Sequence, residues 1–226
     1  MNTPTHAILG LALLPKQDKW GGAGAIVLGG FLPDLPMFGF YAYQKLIGTP
    51  EREIWGDHYF RDSWQLLFDV FNSFPLFIGL LLVSWWAGWQ GPFFQWMGLL
   101  SASALLHLAC DLPVHFDDSH RHFLPFSNWR FQSPVSYWDP RHYGRQFATL
   151  EALLALGLSI WLLLPGNTWP NRVFAGVGLP LFVVQTVAVV WFAMTYCSAV
   201  NDQLPSAPTE PAATASERAT SSSSTP

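Results

Sequence analysis

The chain has 226 residues, of which 50% are hydrophobic and only 12% are charged, and its formal net charge is -4. Soluble domains carry about 25% charged residues, so this composition excludes an ordinary soluble domain and is typical of a membrane protein. The negative net charge offers no basic field for nucleic acid. The two cysteines both lie in apolar segments, which excludes a disulfide framework.

Two short apolar segments, Thr3–Leu14 and Gly21–Phe31, open the chain. No basic region precedes them, so we expect no cleaved signal peptide. Each is too short to span a bilayer at about 1.5 Å per residue, which predicts an apolar helical hairpin packed in a bundle. His6 begins the first arm and Asp34 follows the second. An antiparallel hairpin would therefore return these two side chains to the same level.

Four later segments are apolar enough to predict spanning helices, because roughly 20 apolar residues cross a bilayer. They follow a polar loop at 43–61 and cover residues 66–89, 92–112, 147–165 and 173–200. The first belongs to a longer helix, 62–89, in which Pro75 predicts a kink. The chain is thus predicted to be an all-α integral membrane helix bundle over residues 1–200, followed by a disordered Ser/Thr/Pro/Ala tail at 201–226.

The two ends of this bundle differ in composition. Trp85, Trp86 and Trp89 cluster at the turn near residue 90, and tryptophan is enriched at membrane interfaces. Arginine and lysine instead collect in the loops at the opposite end, including the loop 115–146. The positive-inside rule predicts that this charged end faces the cytoplasm.

Two polar stripes lie at the charged end of their helices. The first stripe consists of Asp62, Gln65, Asp69 and Asn72, and the second of Ser103, His107 and Asp111. Spacings of three and four residues place each set on one helical face. Because lipid would not tolerate such faces, both stripes are predicted to point into the bundle or toward water.

Histidines and carboxylates in these segments predict a metal site. His107 and Asp111 are spaced i, i+4, so an imidazole and a carboxylate share one helical face, as zinc or another divalent cation requires. Ionisable side chains at membrane depth are costly and are usually kept for a function. The predicted metal ligands are His6, Asp34, His107 and Asp111, with His115 and His122 as additional ligands.

The predicted cation is zinc, with manganese as the alternative. Further residues near it are predicted to take part in catalysis. Asp62 and Asp118 are predicted to act as a base or to orient a ligand histidine. Arg121 or Arg130 could hold a phosphate group. Each placement also has a simpler explanation: His6 as a helix-start residue facing water, Asp34 as a turn residue, and the 115–122 loop as a solvated charge run.

Three segments, THAILGLALL, GGFLPDL and LLHLACDLPVHFDD, resemble the LexA-regulated, inner-membrane-associated, metal-dependent hydrolases. That family is related to the zinc-dependent phospholipase C and single-strand nuclease superfamily. The resemblance covers about residues 1–145. It implies a protein of the bacterial inner membrane whose ligand motifs fall on His6, on Asp34, on the region 57–72, and on His107 with Asp111. The chain departs from the family where Asn72 replaces an expected histidine, and where Leu35 and Pro36 follow Asp34 in place of a second ligand.

These observations predict a metal-dependent hydrolase that acts on a phosphoester, in a lipid head group or a nucleotide, at the cytoplasmic membrane surface. Its partners would be membrane lipids and the phosphoester substrate, with no nucleic acid. Two other hypotheses stay open: a small metal or proton transporter, and a structural family member with a degenerate site. Polar residues confined to one end of the bundle favour a surface site over a pathway through the membrane.

Overall fold

The computed structural model describes residues 1–180 together with 183, 184, 187 and 191, apart from the side chain of Trp20. Eight α-helices and four short 3-10 turns, joined by loops, lie in the part of the chain from residue 1 to 163, and no β-strand element occurs in the described residues. A further helical segment runs over 169–180. The helices are α1 (Thr3–Leu13), α2 (Trp20–Phe31), α3 (Leu35–Leu46), α4 (Glu51–Gly56), α5 (Asp62–Phe71), α6 (Phe74–Trp86), α7 (Gly91–Asp111) and α8 (Gly144–Leu163).

Four helical stretches are long and apolar enough to cross a membrane, which confirms the predicted all-α membrane bundle. They are Gly21–Leu46, Asp62–Trp86, Gly91–Val114 and Gly144–Leu163. The last three overlap predicted spans. The predicted span 173–200 lies mostly outside the described residues, and the predicted disordered tail 201–226 lies wholly outside them.

The prediction that neither hairpin arm could span was wrong for the second arm. Leu32–Asp34 forms a 3-10 turn that leads directly into α3, so the helical stretch reaches 26 residues. Pro33 and Pro36 each occupy one of the first two positions of their helical element. A proline there loses no hydrogen bond, since the first N–H groups of a helix have no partner within it.

Two further boundaries differ from the prediction. The polar loop 43–61 contains α4, and the single helix predicted over 62–89 is divided into α5 and α6. The break lies at Asn72 and Ser73, where the Ser73 hydroxyl accepts a hydrogen bond from the backbone N–H of Leu76 at 3.3 Å. Pro75 therefore belongs to the first turn of a new, serine-capped helix, and it does not kink a continuous one.

Glycines allow α1, α2 and α7 to pack closely. A Cβ atom at Gly29 would lie 2.2 Å from the carbonyl oxygen of Leu100 on α7, and one at Gly30 would lie 2.8 Å from the Cα of Ala7 on α1. Small residues at such contacts are the usual means of close helix packing in membranes. Ser103 adds a hydrogen bond of 2.6 Å from its hydroxyl to the carbonyl oxygen of Ile26. This packing brings the start of α1, the end of α2 and the end of α7 together.

Candidate metal centre

The end of α7 supplies a histidine and a carboxylate one helical turn apart. His107 Nδ1 lies 2.8 Å from the carbonyl oxygen of Gly30, which can only accept a hydrogen bond. This contact assigns the proton to Nδ1 and leaves a lone pair on Nε2, as in histidines that bind metals. That Nε2 lies 3.0 Å from Asp111 Oδ2. The pair is therefore oriented by the neighbouring helix α2.

Helix α1 delivers a second imidazole to the same carboxylate. The His6 ring stacks on that of His107 with centroids 3.6 Å apart. His6 Nε2 lies 3.0 Å from Asp111 Oδ1, so the two imidazoles face opposite oxygens of one carboxylate. All three side chains are buried.

The spacing of these donors suits a metal ion. One ligand atom from each of His6, His107 and Asp111 lies within 4.8 Å of the others. Metal–ligand bonds of about 2.0–2.1 Å in a tetrahedron imply donor separations of about 3.3 Å. Neither His6 Nε2 nor His107 Nε2 has a hydrogen-bond partner, although each lies 3.0 Å from a carboxylate oxygen. The donor set therefore fits a divalent cation, and it is the one such three-residue group among the described residues.

Two further groups touch this donor set. The backbone nitrogen of Met1 contacts Asp111 Oδ1. Asp34 Oδ1 lies 3.6 Å from His107 Nε2, and its other oxygen accepts a hydrogen bond from the Thr3 hydroxyl. The Asp34 side chain is 19% exposed, whereas that of His107 is fully buried. Asp34 therefore lies at the accessible rim of the centre.

His115 links the centre to the following loop. Its Nε2 lies 3.4 Å from Asp111 Oδ2, and its Nδ1 lies 2.9 Å from Asp118 Oδ2. Burial alone lowers the pKa of His115, but the carboxylates of Asp118 and Asp111 outweigh burial and raise this pKa to about 10. Burial likewise opposes ionisation of Asp118, yet the attraction of His115 lowers the pKa of this carboxyl below its usual value. A cation is therefore favoured between the two acids, and a metal bound by His115 would displace its proton.

The remaining predicted ligand, His122, lies beside the helix break and outside the three-donor group. Its Nδ1 donates to the carbonyl oxygen of Asn72 at 2.8 Å. The Asn72 amide in turn donates to the carbonyl oxygens of Pro33 at 3.3 Å and Phe68 at 3.1 Å. Asn72, at the position where a histidine was expected, thus ties the LPD turn to α5.

The predicted phosphate-binding arginines converge on a carboxylate to which the sequence analysis gave no role. Asp69 is fully buried, and it accepts hydrogen bonds from the side chains of Arg121 and Arg130, the latter at 3.1 Å. It also accepts from the backbone N–H of Arg121 at 3.0 Å and lies 3.2 Å from His120 Nδ1. Two guanidinium groups on one carboxylate leave one net positive charge. We call Asp69, His120, Arg121 and Arg130 the Asp69 network.

The members of the first polar stripe differ in burial along α5. Gln65, Asp69 and Asn72 are buried, whereas Asp62, predicted to take part in catalysis, is exposed at the first residue of the helix. Asp62 is thus exposed, whereas His6, His107 and Asp111 are buried. The burial of Asp69 could have been anticipated from its apolar neighbours Phe68 and Val70, since a carboxylate inside an apolar run needs a partner.

Glu151, the single acid within the apolar part of α8, also has a structural partner. Its Oε1 accepts a hydrogen bond of 2.7 Å from the backbone N–H of Asn2, immediately before α1. A carboxylate is favourable at a helix N-terminus, where N–H groups lack helical partners. Glu151 therefore anchors the end of α1 that carries His6.

No family model, no curated protein and no solved structure matches this chain.

Proposed function

We propose that this protein is a membrane-bound hydrolase that uses a divalent cation, zinc or alternatively manganese, to cleave a phosphoester. The supporting observation is the buried donor set of two imidazole nitrogens and one carboxylate. Structural zinc sites are closed by four protein ligands, whereas catalytic sites have three and keep a position for water. The substrate would be a lipid head group or a nucleotide.

The residues have distinct roles in this proposal. His6, His107 and Asp111 would hold the cation, which lowers the pKa of its bound water and so supplies a nucleophile near neutral pH. Gly30 fixes the tautomer of His107 through its carbonyl oxygen. Asp118 orients His115, since the two side chains are 2.9 Å apart.

The Asp69 network supplies a site for the phosphate. Its net positive charge lies on Arg121 and Arg130, whose side chains are 21% and 32% exposed. Guanidinium groups bind phosphate through paired N–H donors. Because His120 and His115 have ring centroids 5.6 Å apart, the network borders the metal centre.

The proposed location is the cytoplasmic face of a bacterial inner membrane, in line with the charged loops and with the proposed membership of the LexA-regulated hydrolase family. The centre lies where α7 ends, away from the tryptophan-rich turn between α6 and α7. A lipid substrate would reach this site by diffusion within the bilayer. That route favours a lipid head group over a nucleotide.

The transporter hypothesis has less support. It predicts ionisable groups through the full depth of the membrane. Helix α6 carries no ionisable side chain, and in α7 such groups begin at His107, sixteen residues from the first residue of the helix. The confinement of these groups to one end supports a surface site.

Phosphoesterase assays test this function directly. The protein would be purified in detergent with a tag that lacks histidine, loaded with zinc or manganese, and assayed on bis(p-nitrophenyl) phosphate, phosphatidic acid and nucleoside monophosphates. We expect turnover in the parent and in the matched control Asp18→Asn, since Asp18 is exposed in the turn between α1 and α2. Asp111→Asn should reduce turnover by about 100-fold or more. Absence of turnover in the metal-loaded parent, or equal turnover in Asp111→Asn, would overturn the proposal.

A further inference from the structure

Arg121 and Arg130 enclose a segment with an unusual surface. Both guanidinium groups bind Asp69, so the two ends of this segment are held at one point. The residues Phe123–Trp129, which lie between the arginines and are exposed or partly exposed, carry no charge. We call this range the aromatic loop. Phe126 is 84% exposed, Trp129 54% and Phe123 37%, which is a large apolar surface for a loop that faces water.

The aromatic loop packs against the beginning of α6. The rings of Phe123 and Phe74 have centroids 5.8 Å apart, as do those of Phe123 and Trp129. The backbone is fixed at the same place: the Ser73 hydroxyl donates to the carbonyl oxygen of Leu124 at 2.7 Å. The loop is thus continuous with the surface of a helix in a candidate membrane span.

The length of α6 gives the depth of this contact. Phe74 and Trp86 are the first and last residues of α6, so they are separated by a rise of about 18 Å. The hydrocarbon core of a bilayer is about 30 Å thick. Trp86 is 85% exposed and belongs to the tryptophan cluster that marks one interface. Phe74, and the ring of Phe123 beside it, would then lie within the apolar thickness of the membrane, about 12 Å from its other boundary for a helix along the membrane normal.

The surface between these two ends is also apolar. Leu76, Ile78 and Leu82 of α6 are 40%, 44% and 55% exposed, as expected of side chains that face lipid. No charge interrupts the path from these residues to Phe126, since neither α6 nor the aromatic loop contains an acidic or basic residue. The arginines that flank the loop bind Asp69. Asp69 precedes Phe74 by five residues, so it and the two guanidinium groups lie nearer to the membrane surface than Phe74 does.

We propose that the aromatic loop inserts into the lipid bilayer on the same side as the metal centre. Part of its backbone is satisfied within the protein, as that depth requires: the Ser73 hydroxyl donates to the carbonyl oxygen of Leu124, and the N–H groups of Phe126 and Ser127 donate to that of Phe123. The partner is the boundary between acyl chains and head groups. A lipid that contacts the loop would have its head group at the level of Arg121 and Arg130. This inference does not depend on the proposed hydrolase activity.

Spin labelling in a bilayer tests the insertion. A nitroxide would be attached at Phe126→Cys in the full chain with Cys110→Ser and Cys197→Ser, in nanodiscs of phosphatidylcholine and phosphatidylglycerol. Collision rates with oxygen, which concentrates in lipid, and with a nickel chelate, which stays in water, give the depth of the label. Leu82→Cys provides the lipid reference and the exposed Arg52→Cys the water reference.

We expect the label at position 126 to resemble that at Leu82, with high oxygen and low chelate accessibility. Trp129→Cys gives a second label on the same loop and should behave alike. Each labelled variant is to be accepted only if its circular dichroism and elution volume match the parent. Labels at both loop positions with the chelate accessibility of Arg52→Cys would overturn the insertion.

Discussion

Two buried groups of histidines and carboxylates lie side by side in this protein, and they differ in how their polar atoms are used. In the Asp69 network the carboxylate receives hydrogen bonds from Arg121 and Arg130 and faces His120 Nδ1. In the metal centre, His6 Nε2 and His107 Nε2 have no hydrogen-bond partner, although both lie close to Asp111. Both groups contain histidine and aspartate, but the carboxylate of the Asp69 network is closed by two arginines, whereas the two imidazole nitrogens at Asp111 are left open.

The difference indicates what each group does. A buried donor or acceptor without a partner costs about 1–3 kcal/mol, so a fold does not retain several in one place without compensation. Unpaired nitrogens aimed at one carboxylate are compensated when a cation binds. We therefore infer that the Asp69 network stabilises the fold and positions the arginines, whereas the metal centre serves the chemistry.

The largest effect is expected from breaking the closed group. Asp69→Asn leaves two guanidinium groups beside a neutral amide, and the loss of one partner of a buried ion pair typically costs about 3–5 kcal/mol. Thermal unfolding in detergent should show a large decrease in the melting temperature. Asp18→Asn, an identical change at an exposed site, should stay within about 0.5 kcal/mol of the parent. Equal stability of the two variants would show that the network does not stabilise the fold.

The open group should respond to cations. Zinc at about 100 times its dissociation constant should stabilise the metal-free protein by about 2.7 kcal/mol, because only the folded chain assembles the donors. A chelator should reverse this increase in melting temperature, and Asp111→Asn should abolish it. If neither zinc nor manganese changes the melting temperature of the parent protein, then His6, His107 and Asp111 do not form a metal site.

Helix packing beneath the metal centre gives an effect of similar or smaller size. Gly30→Ala places a Cβ 2.8 Å from Ala7 and displaces the carbonyl oxygen that holds His107. We expect a loss of about 1–3 kcal/mol together with weaker zinc binding. Gly24→Ala is the matched control, since a Cβ there meets nothing within 4 Å. It should instead stabilise the helix by about 0.5–1 kcal/mol. Stability and zinc affinity both unchanged in Gly30→Ala would disprove the packing argument.

The smallest effect is expected at Glu151. A variant at this position distinguishes a residue that anchors α1 from a residue that binds the metal. Glu151→Gln keeps an oxygen that can accept from the Asn2 backbone, so the stability should change by no more than about 1 kcal/mol. The zinc content of purified protein should stay the same. Loss of zinc in this variant would place Glu151 among the ligands.

Helical periodicity and the antiparallel hairpin predict much of the metal centre. The i, i+4 spacing brings His107 and Asp111 together, and the hairpin returns His6 and Asp34 to their level. The anchoring of His107 on Gly30 could not be predicted, because it depends on how closely glycines let α1, α2 and α7 approach.

Two other features show where periodicity fails. Asp62 and Asp69 share one helical face, so spacing alone cannot distinguish them, and burial depends on where α5 begins. The division between α5 and α6 was also missed, although its sequence signal is present. Ser73 followed by Pro75 is a helix-start pattern, so Pro75 marks the first turn of a new helix and not a kink.

Whether His6, His107 and Asp111 bind a metal ion is tested most simply by the metal content of the purified protein. The parent, Asp18→Asn and Asp111→Asn would be grown and dialysed with zinc and manganese, freed of loosely bound ions, and analysed by mass spectrometry for metals. We expect about one equivalent of zinc or manganese in the parent and in Asp18→Asn, and almost none in Asp111→Asn. A parent without metal, or full metal content in Asp111→Asn, would contradict the assignment of this buried group as a metal centre.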